Sequence, residues 1–363
     1  MIRDGHESVR AWAPGRVNLI GEHTDYNGGF ALPFALDLGC EVTMVPRADG
    51  LVVVMSHNVD GPAGEVRLTL DDLEAGGVGQ LEPAWVRYVA ATLVVRGGVP
   101  EGGVGIAVES TVPLGAGLSS SAALEVAVAT ALDALAGRDA AHAVEVAASC
   151  QRAELLASGV PCGIMDQLAS AGCTAGHAML LDCRSLEIEQ VPMPDELEWV
   201  VIHSGVSREL ADGAYAQRRA MCEAAAARLG LDSLRDAHEE QVADDPIARH
   251  VVRENIRVLD MVDALRARDF ERVGGLLLEG HASLRDDFQV STPEVDALVE
   301  ELTAAGALGA RMTGGGFGGC VIAVTGAGDG AGVAARAAQH YRERTGLDTQ
   351  VFAAVPAGGA ALR

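Results

Sequence analysis

Pro113-Leu114-Gly115-Ala116-Gly117-Leu118-Ser119-Ser120-Ser121-Ala122-Ala123 is the stretch from which the rest of the chain is read. Ahead of it, Val104–Val112 alternates Val104, Ile106 and Val108 with small or polar residues and ends in a β-branched pair, the pattern of a strand. Behind it, Ala122–Leu135 is almost all Ala, Leu and Val, broken by Glu125, Thr130 and Asp133, the pattern of a buried helix. The unit is a strand, a glycine loop and a helix N-terminus, with Ser119 and its neighbours as expected cap hydroxyls. Free N–H groups and the positive end of the helix dipole converge there and favour an anion. Glycine lets the backbone approach phosphate oxygens with no Cβ in the way. The competing reading is a tight turn with an ordinary cap, but a cap uses one hydroxyl and three are present. A Walker-type phosphate loop is excluded, because it needs a lysine after its last glycine. This chain has none, and all 27 of its Lys/Arg cations are arginine. The same absence excludes protein-kinase and Schiff-base chemistry.

A chain of 363 residues has room for two domains or one large one. Aromatics make up 4%, so the core must be built from Ala, Val and Leu. The formal charge of −24 argues against nucleic acid and anionic membrane as partners. It also means that helix dipoles, a few arginines and a divalent cation must draw any polyanion into an acidic protein. The seven cysteines show no Cys-x-x-Cys or Cys/His cluster, so reduced thiols, a cytoplasmic location and no structural zinc are expected. Met1–Gly15 lacks the apolar core of a signal peptide, and no apolar run is long enough for a bilayer.

In chain order, Val9–Pro14 and Leu36–Val45 alternate like strands, with Asp25–Gly29 a loop by composition. Leu51–Met55 and Glu65–Leu70 add short strands, and Pro83–Arg96 and Ala140–Ala157 add helices. His177–Asp182, Leu186–Val191 and Trp199–His203 read as strands. Arg208–Leu229, Ile247–Arg268, Phe270–Asp287 and Pro293–Ala305 read as helices. A strand-loop-strand over Ala310–Val324, a helix over Ala331–Arg344 and a strand over Thr349–Val355 complete the order. The class is α/β in two domains, 1–182 and 183–363, divided near Asp182 where helices give way to strands.

Three further stretches carry chemistry. Arg16 to Asp25 holds a cation, an imidazole and two carboxylates (Arg16, His23, Glu22 and Asp25) beside Gly and Asn, a mix that suits a polyhydroxylated ligand. A solvated turn with a surface ion pair is the alternative. Asp166 lies among Ile164, Met165 and Leu168, and reads as a helix N-cap or a functional acid. Thr313–Gly319 has five glycines in seven positions, where a hairpin needs one or two. Backbone must approach something closely there, bound phosphate or sugar, unless the stretch is a hinge.

Pro14-Gly15-Arg16-Val17-Asn18-Leu19-Ile20-Gly21-Glu22-His23-Thr24-Asp25-Tyr26-Asn27-Gly28-Gly29 resembles the galactokinase signature. Pro113–Ala123 and Thr313–Gly319 resemble the second and third motifs of the kinases that act on galactose, homoserine, mevalonate and phosphomevalonate, and the three occur in that family's order. The resemblance implies an N-terminal ribosomal-S5-domain-2-like α/β domain, a C-terminal ferredoxin-like α/β domain and an active site in the cleft between them. By motif match, Asp166 is similar to the family's catalytic aspartate and Arg16 to its transition-state arginine. Glu22, His23, Thr24, Asp25 and Gly163 match the galactose-binding set, and Tyr215 the sugar-contacting tyrosine. Gly115, Ala116, Gly117, Leu118, Ser119, Ser120 and Ser121 would hold ATP phosphates, with Ser56 and Trp85 lining the nucleotide pocket. Ser121 and Glu154 match the Mg2+ ligands. The implied reaction is transfer of a phosphoryl group from ATP to the C1 hydroxyl of α-D-galactose, by a monomer acting on small molecules. Two alternatives stay open: a kinase for N-acetylgalactosamine or another sugar, and a galactose-sensing relative without turnover.

Overall fold

The computed structural model describes residues 8–59, 61–73, 76–100, 102–206 and 211–363. The expected helix start at Arg208, and the first seven residues of the Met1–Gly15 stretch, lie outside the described residues. Strands β1 (Val9–Asn18), β2 (Phe30–Ala31), β3 (Pro33–Pro46), β4 (Leu51–Ser56) and β5 (Glu65–Leu68) come first. Helix α1 (Trp85–Val95) leads to β6 (Gly103–Ser110), which delivers the glycine loop to α2 (Ser120–Leu135). Helices α3 (Ala143–Ser158) and α4 (Met165–Gly172) precede β7 (His177–Asp182), β8 (Ile188–Pro192) and β9 (Leu197–His203). Then come α5 (Ala211–Leu229), α6 (Pro246–Ala267), α7 (Phe270–Asp286) and α8 (Pro293–Ala304). The order ends with β10 (Gly309–Thr313), β11 (Cys320–Gly326), α9 (Gly330–Thr345), β12 (Gln350–Ala353) and β13 (Ala361–Leu362).

A six-stranded sheet runs β13-β1-β3-β6-β4-β5, antiparallel except where β4 meets β6. Helix α2 lies across β1 and β3, so the glycine loop at its start stands at one end of this sheet. A four-stranded antiparallel sheet runs β10-β11-β9-β12, and β2, β7 and β8 form a third. The near-continuous apolar runs of β9 and β11 follow from burial on both faces. Trp199, Val201, Ile322 and Val324 join a core shared with β1, β3 and α2, while Val200, Ile202, Val321 and Ala323 face a second core with α8 and α9.

Strand β1 continues past Pro14, where the sequence pattern ends it, because its register shifts between Pro14 and Arg16. A bulge tolerates proline and turns the chain so that the following side chain changes its aim. Gly15 sits at the bulge, where a Cβ would stand 2.6 Å from the Leu118 carbonyl oxygen. That closeness lets the Arg16 N–H donate to Leu118 O at 3.1 Å, so β1 and the glycine loop are bonded directly. Strand β13 was not expected. Its two residues pair with Ala11 and Trp12, too short a run to carry a period.

Candidate active site

A cavity of about 450 Å³ lies among the end of β1, the loop after it, the glycine loop and the starts of α2 and α4. Tyr215 of α5 and Gly314 and Gly315 of the β10–β11 loop close its other side. Asp166 stands in the first turn of α4, not at its cap, which is Ile164. The Arg16 guanidinium grips it with two bonds, Nε to Oδ1 and Nη2 to Oδ2, each 2.8 Å. The remaining Nη1 donates to Gly117 O at 2.8 Å. One buried arginine thus fastens the aspartate to the glycine loop. A forked pair of this kind fixes direction as well as distance.

Ser119 corrects the reading of the serines as caps. It has φ 58° and makes no side-chain cap bond to α2. That left-handed backbone turns its hydroxyl off the helix, and Oγ donates to Asp166 Oδ2 at 2.6 Å. The aspartate therefore takes donors from residues 47 and 150 positions away. The N–H groups of the first turn of α2 remain free for an anion, and Gly115, Gly117, Ser120 and Ser121 line the cavity beside them.

Opposite the glycine loop, Asp25, Gly163, His23 and Tyr215 meet. Burial, and then the neighbouring Asp166 charge, push the Asp25 carboxyl up to about 6. His23 holds φ 63°, an uncommon value for a residue with a side chain. Its Nδ1 lies 2.9 Å from the Tyr26 hydroxyl, and its ring packs 4.7 Å from Phe288 and 5.4 Å from Tyr215. The backbone cost is offset by a ring packed against Tyr26, Tyr215 and Phe288, and the residue lines the cavity. Glu22 reaches the same cavity although it is 1% exposed.

Five of the residues matched by resemblance are not brought to the cavity wall. Thr24 is fully buried, and its hydroxyl faces the carbonyls of Gly21 and Phe30 at 2.7 and 2.6 Å, so it braces the loop. Ala116 and Leu118 turn their side chains into the core and offer the loop only backbone. Ser56, at the end of β4, accepts from Asn58 N at 3.2 Å, and Trp85 packs on the core at the start of α1. Tyr88, one helical turn beyond Trp85, is on the wall instead. In the β10–β11 loop, a Cβ on Gly316 or Gly318 would meet Val290 O at 2.5 Å or Val206 O at 2.9 Å. Part of the glycine excess therefore serves packing rather than a ligand.

Ser121 and Glu154 both reach the cavity, and Glu125 lies buried beneath them with Oε1 unpartnered. Gln167 Nε2 donates to Glu125 Oε2 at 3.2 Å and to Glu154 Oε2 at 3.5 Å. Burial, with Glu154 beside it, pushes the Glu125 carboxyl well above the ordinary range. Among the described residues, no three His, Cys, Asp or Glu side chains cluster to cage a metal alone. Hard oxygen donors from one hydroxyl and one carboxylate, beside an anion loop, fit Mg2+, which keeps waters and phosphate oxygens as its other ligands.

The model of the galactokinase galactose-binding signature matches residues 4–46, and those of the N- and C-terminal domains of the GHMP kinases match residues 85–173 and 261–343. A galactokinase of Streptomyces coelicolor is 43% identical over 98% of this chain and 95% of its own length. The chain belongs to the galactokinase family. A human galactokinase is likewise 43% identical, over 96% of this chain and 90% of its own. The crystal structure of Lactococcus lactis galactokinase complexed with galactose superimposes with a TM-score of 0.91 at 32% identity, covering 98% of this chain and 95% of that one. A mevalonate kinase structure at 17% identity and TM-score 0.70 shares the fold, which is that of a two-domain α/β GHMP kinase.

Proposed function

We propose that this family member transfers the γ-phosphoryl group of ATP to the C1 hydroxyl of α-D-galactose, with Asp166 and Arg16 as its catalytic residues. One observation carries the reading. Asp166 is held by the Arg16 fork and by Ser119 at the point where the glycine loop meets the Asp25–Gly163 wall. A sugar seated against Asp25, His23, Glu22 and Tyr215 presents a hydroxyl to Asp166, which orients it and accepts its proton as the new phosphorus–oxygen bond forms. Arg16 offsets the negative charge that grows on the transferred group. The glycine loop and the start of α2 bind the remaining phosphates. Ser121 and Glu154 would hold Mg2+, which supplies charge neutralisation of the phosphates when bound. A coupled assay with galactose, N-acetylgalactosamine and no sugar tests the reading. Turnover on N-acetylgalactosamine alone, or sugar-independent ATP hydrolysis, would replace it.

We also propose a division of the chain near residue 182 into a sugar- and ATP-binding half and a C-terminal half. The second apolar cluster, built almost wholly from residues after 200, supports it. The halves share the larger cluster, β7 and β8 form a hairpin across the joint, and β13 returns to β1. A fragment cut there is expected not to fold alone.

Turnover is expected to need a divalent cation. Four carboxyl groups line the cavity (Glu22, Asp25, Glu154 and Asp166), Arg16 is already paired with one of them and the chain has no lysine, so excess EDTA should abolish activity and added Mg2+ restore it. Full activity in EDTA would remove Ser121 and Glu154 from their assigned role.

Asp25 sets a pH dependence with two signs. Its folded pKa, about 6, lies above the ordinary 3.8. Ionisation therefore opposes folding, a penalty fully present above about pH 6 and absent below about pH 4. Asp25→Asn is expected to raise the melting temperature at pH 8 and to leave it unchanged at pH 4. Sugar binding needs the ionised acceptor, so the galactose KM should rise as pH falls from 7 to 5. A KM flat across that range would show that Asp25 does not accept from the sugar.

A further inference from the structure

We infer that Arg311 and Glu254 act as a positioning pair that aims the Glu22 carboxylate at the sugar end of the cavity, and so govern sugar selection without touching the sugar. The inference rests on the proposed sugar site.

Arg311, on β10, has no solvent exposure. Its Nη2 donates to Glu22 Oε2 at 2.5 Å and to Glu254 Oε1 at 2.7 Å. Glu254, on α6 and equally buried, also accepts from the Gly21 backbone N–H at 2.9 Å through Oε1 and from Arg257 Nε at 2.8 Å through Oε2. Gly314 N donates to Glu22 Oε1 at 3.3 Å, and His250 Nε2 lies 3.2 Å from Glu22 O. The Gly21–Glu22 segment is thereby clamped, backbone and side chain together, by α6 and β10. Two carboxyl groups meet two guanidinium groups: burial, against the pull of Arg311, pushes the Glu22 carboxyl up to about 7, while at Glu254 burial is outweighed by Arg311 and Arg257, which hold its carboxyl below the ordinary range.

A purely structural bridge is a poor explanation of this cluster. Well-packed apolar residues hold elements together as firmly and avoid the desolvation of four charges. The cluster instead ends on a residue of the cavity wall. Glu22 has three rotatable side-chain bonds, and a carboxylate that reads one hydroxyl pattern must keep one orientation. Helix α7 makes room for the device, since a Cβ on Gly280 would stand 2.6 Å from Arg311 Nη1. Both bonds leave Arg311 through Nη2, and a lysine at 311 would keep the charge but lose the rigid guanidinium plane that fixes the direction of that nitrogen.

The test is steady-state kinetics of the full chain carrying Arg311→Lys or Glu254→Gln, with galactose and glucose as acceptors and ATP varied separately. For Arg311→Lys, the galactose KM should rise about tenfold or more and the galactose-over-glucose preference fall by about as much, with kcat within about threefold and the ATP KM within about twofold. Glu254→Gln, nearly isosteric, should move the sugar KM and preference in the same direction by a smaller factor. If Arg311→Lys does not fold, Glu254→Gln decides alone. A lower melting temperature with sugar KM and preference unchanged in folded enzyme would make the cluster structural and overturn the inference. If the wild type uses another sugar in place of galactose, the function reading fails separately, and the same shifts measured on that sugar still decide the role of Arg311.

Discussion

Asp166→Asn is expected to lower turnover by about a hundredfold or more, the usual scale for losing a general base, while galactose and ATP still bind. Amide and carboxylate have nearly the same shape, so the cavity should persist. The amide nitrogen, however, would face Arg16 Nε if it took the Oδ1 position, or Arg16 Nη2 and the Ser119 hydroxyl together if it took the Oδ2 position. At least one of those donors loses its acceptor. Arg16→Ala should also reduce turnover, with a larger loss of stability, because it leaves Asp166 without its cation and frees the Gly117 carbonyl. Ser119→Ala should leave α2 intact, since its hydroxyl caps nothing, and should cost turnover instead. In the Arg16→Ala/Asp166→Asn double variant, the loss should be smaller than the product of the two single losses, as for groups that act as a unit. Calorimetric binding beside turnover is the measurement. Near wild-type turnover in Asp166→Asn would remove it as the base. Binding and turnover lost together would make it a sugar ligand first, with catalysis resting on positioning.

The parts legible in the sequence were those encoded locally. The glycine loop, its strand and its helix follow from period and composition over about thirty residues, and β6 and α2 lie within two residues of the expected bounds. Arg16 and Asp166 could be assigned by motif order, but their contact spans 150 positions and has no local trace. Ser119 was misread because cap preference describes residues with extended backbone, and its left-handed φ is imposed by the loop. The Glu22–Arg311–Glu254 cluster was invisible for a different reason. Glu254 stands inside the expected helix Ile247–Arg268, and its partners Gly21 and Arg311 lie 233 and 57 positions away, so nothing local marks it as an interior group. Glu125, like Asp133, interrupts a helix whose apolar pattern implies burial, but the pattern does not name Gln167 as its partner.

Gly163→Ala is expected to cripple sugar use through a single methyl group. A Cβ at 163 would stand 1.7 Å from Asp25 Oδ2 and 2.2 Å from its Cγ, far inside contact distance. Gly163 does not have a positive φ, so alanine fits its backbone and the whole effect falls on Asp25. That carboxylate cannot retreat freely. Oδ1 accepts from the Tyr26 N–H at 2.9 Å, and the short helical turn Asp25–Asn27 holds its backbone. The methyl must displace the Asp25 carboxylate, the proposed sugar acceptor, from the cavity wall or push the 162–164 segment into the cavity. Either way kcat/KM for galactose should fall about a hundredfold, close to the loss from misplacing a positioned group by an ångström. The ATP KM should change little, because the glycine loop lies on the other side of Asp166. A double-mutant cycle separates the two routes. If Asp25 is the target, adding Gly163→Ala to Asp25→Ala should cost less than about fivefold more, since the clashing oxygen is already gone. Full additivity would place the damage in the 162–164 backbone instead, and a wild-type KM in Gly163→Ala would take Asp25 off the sugar.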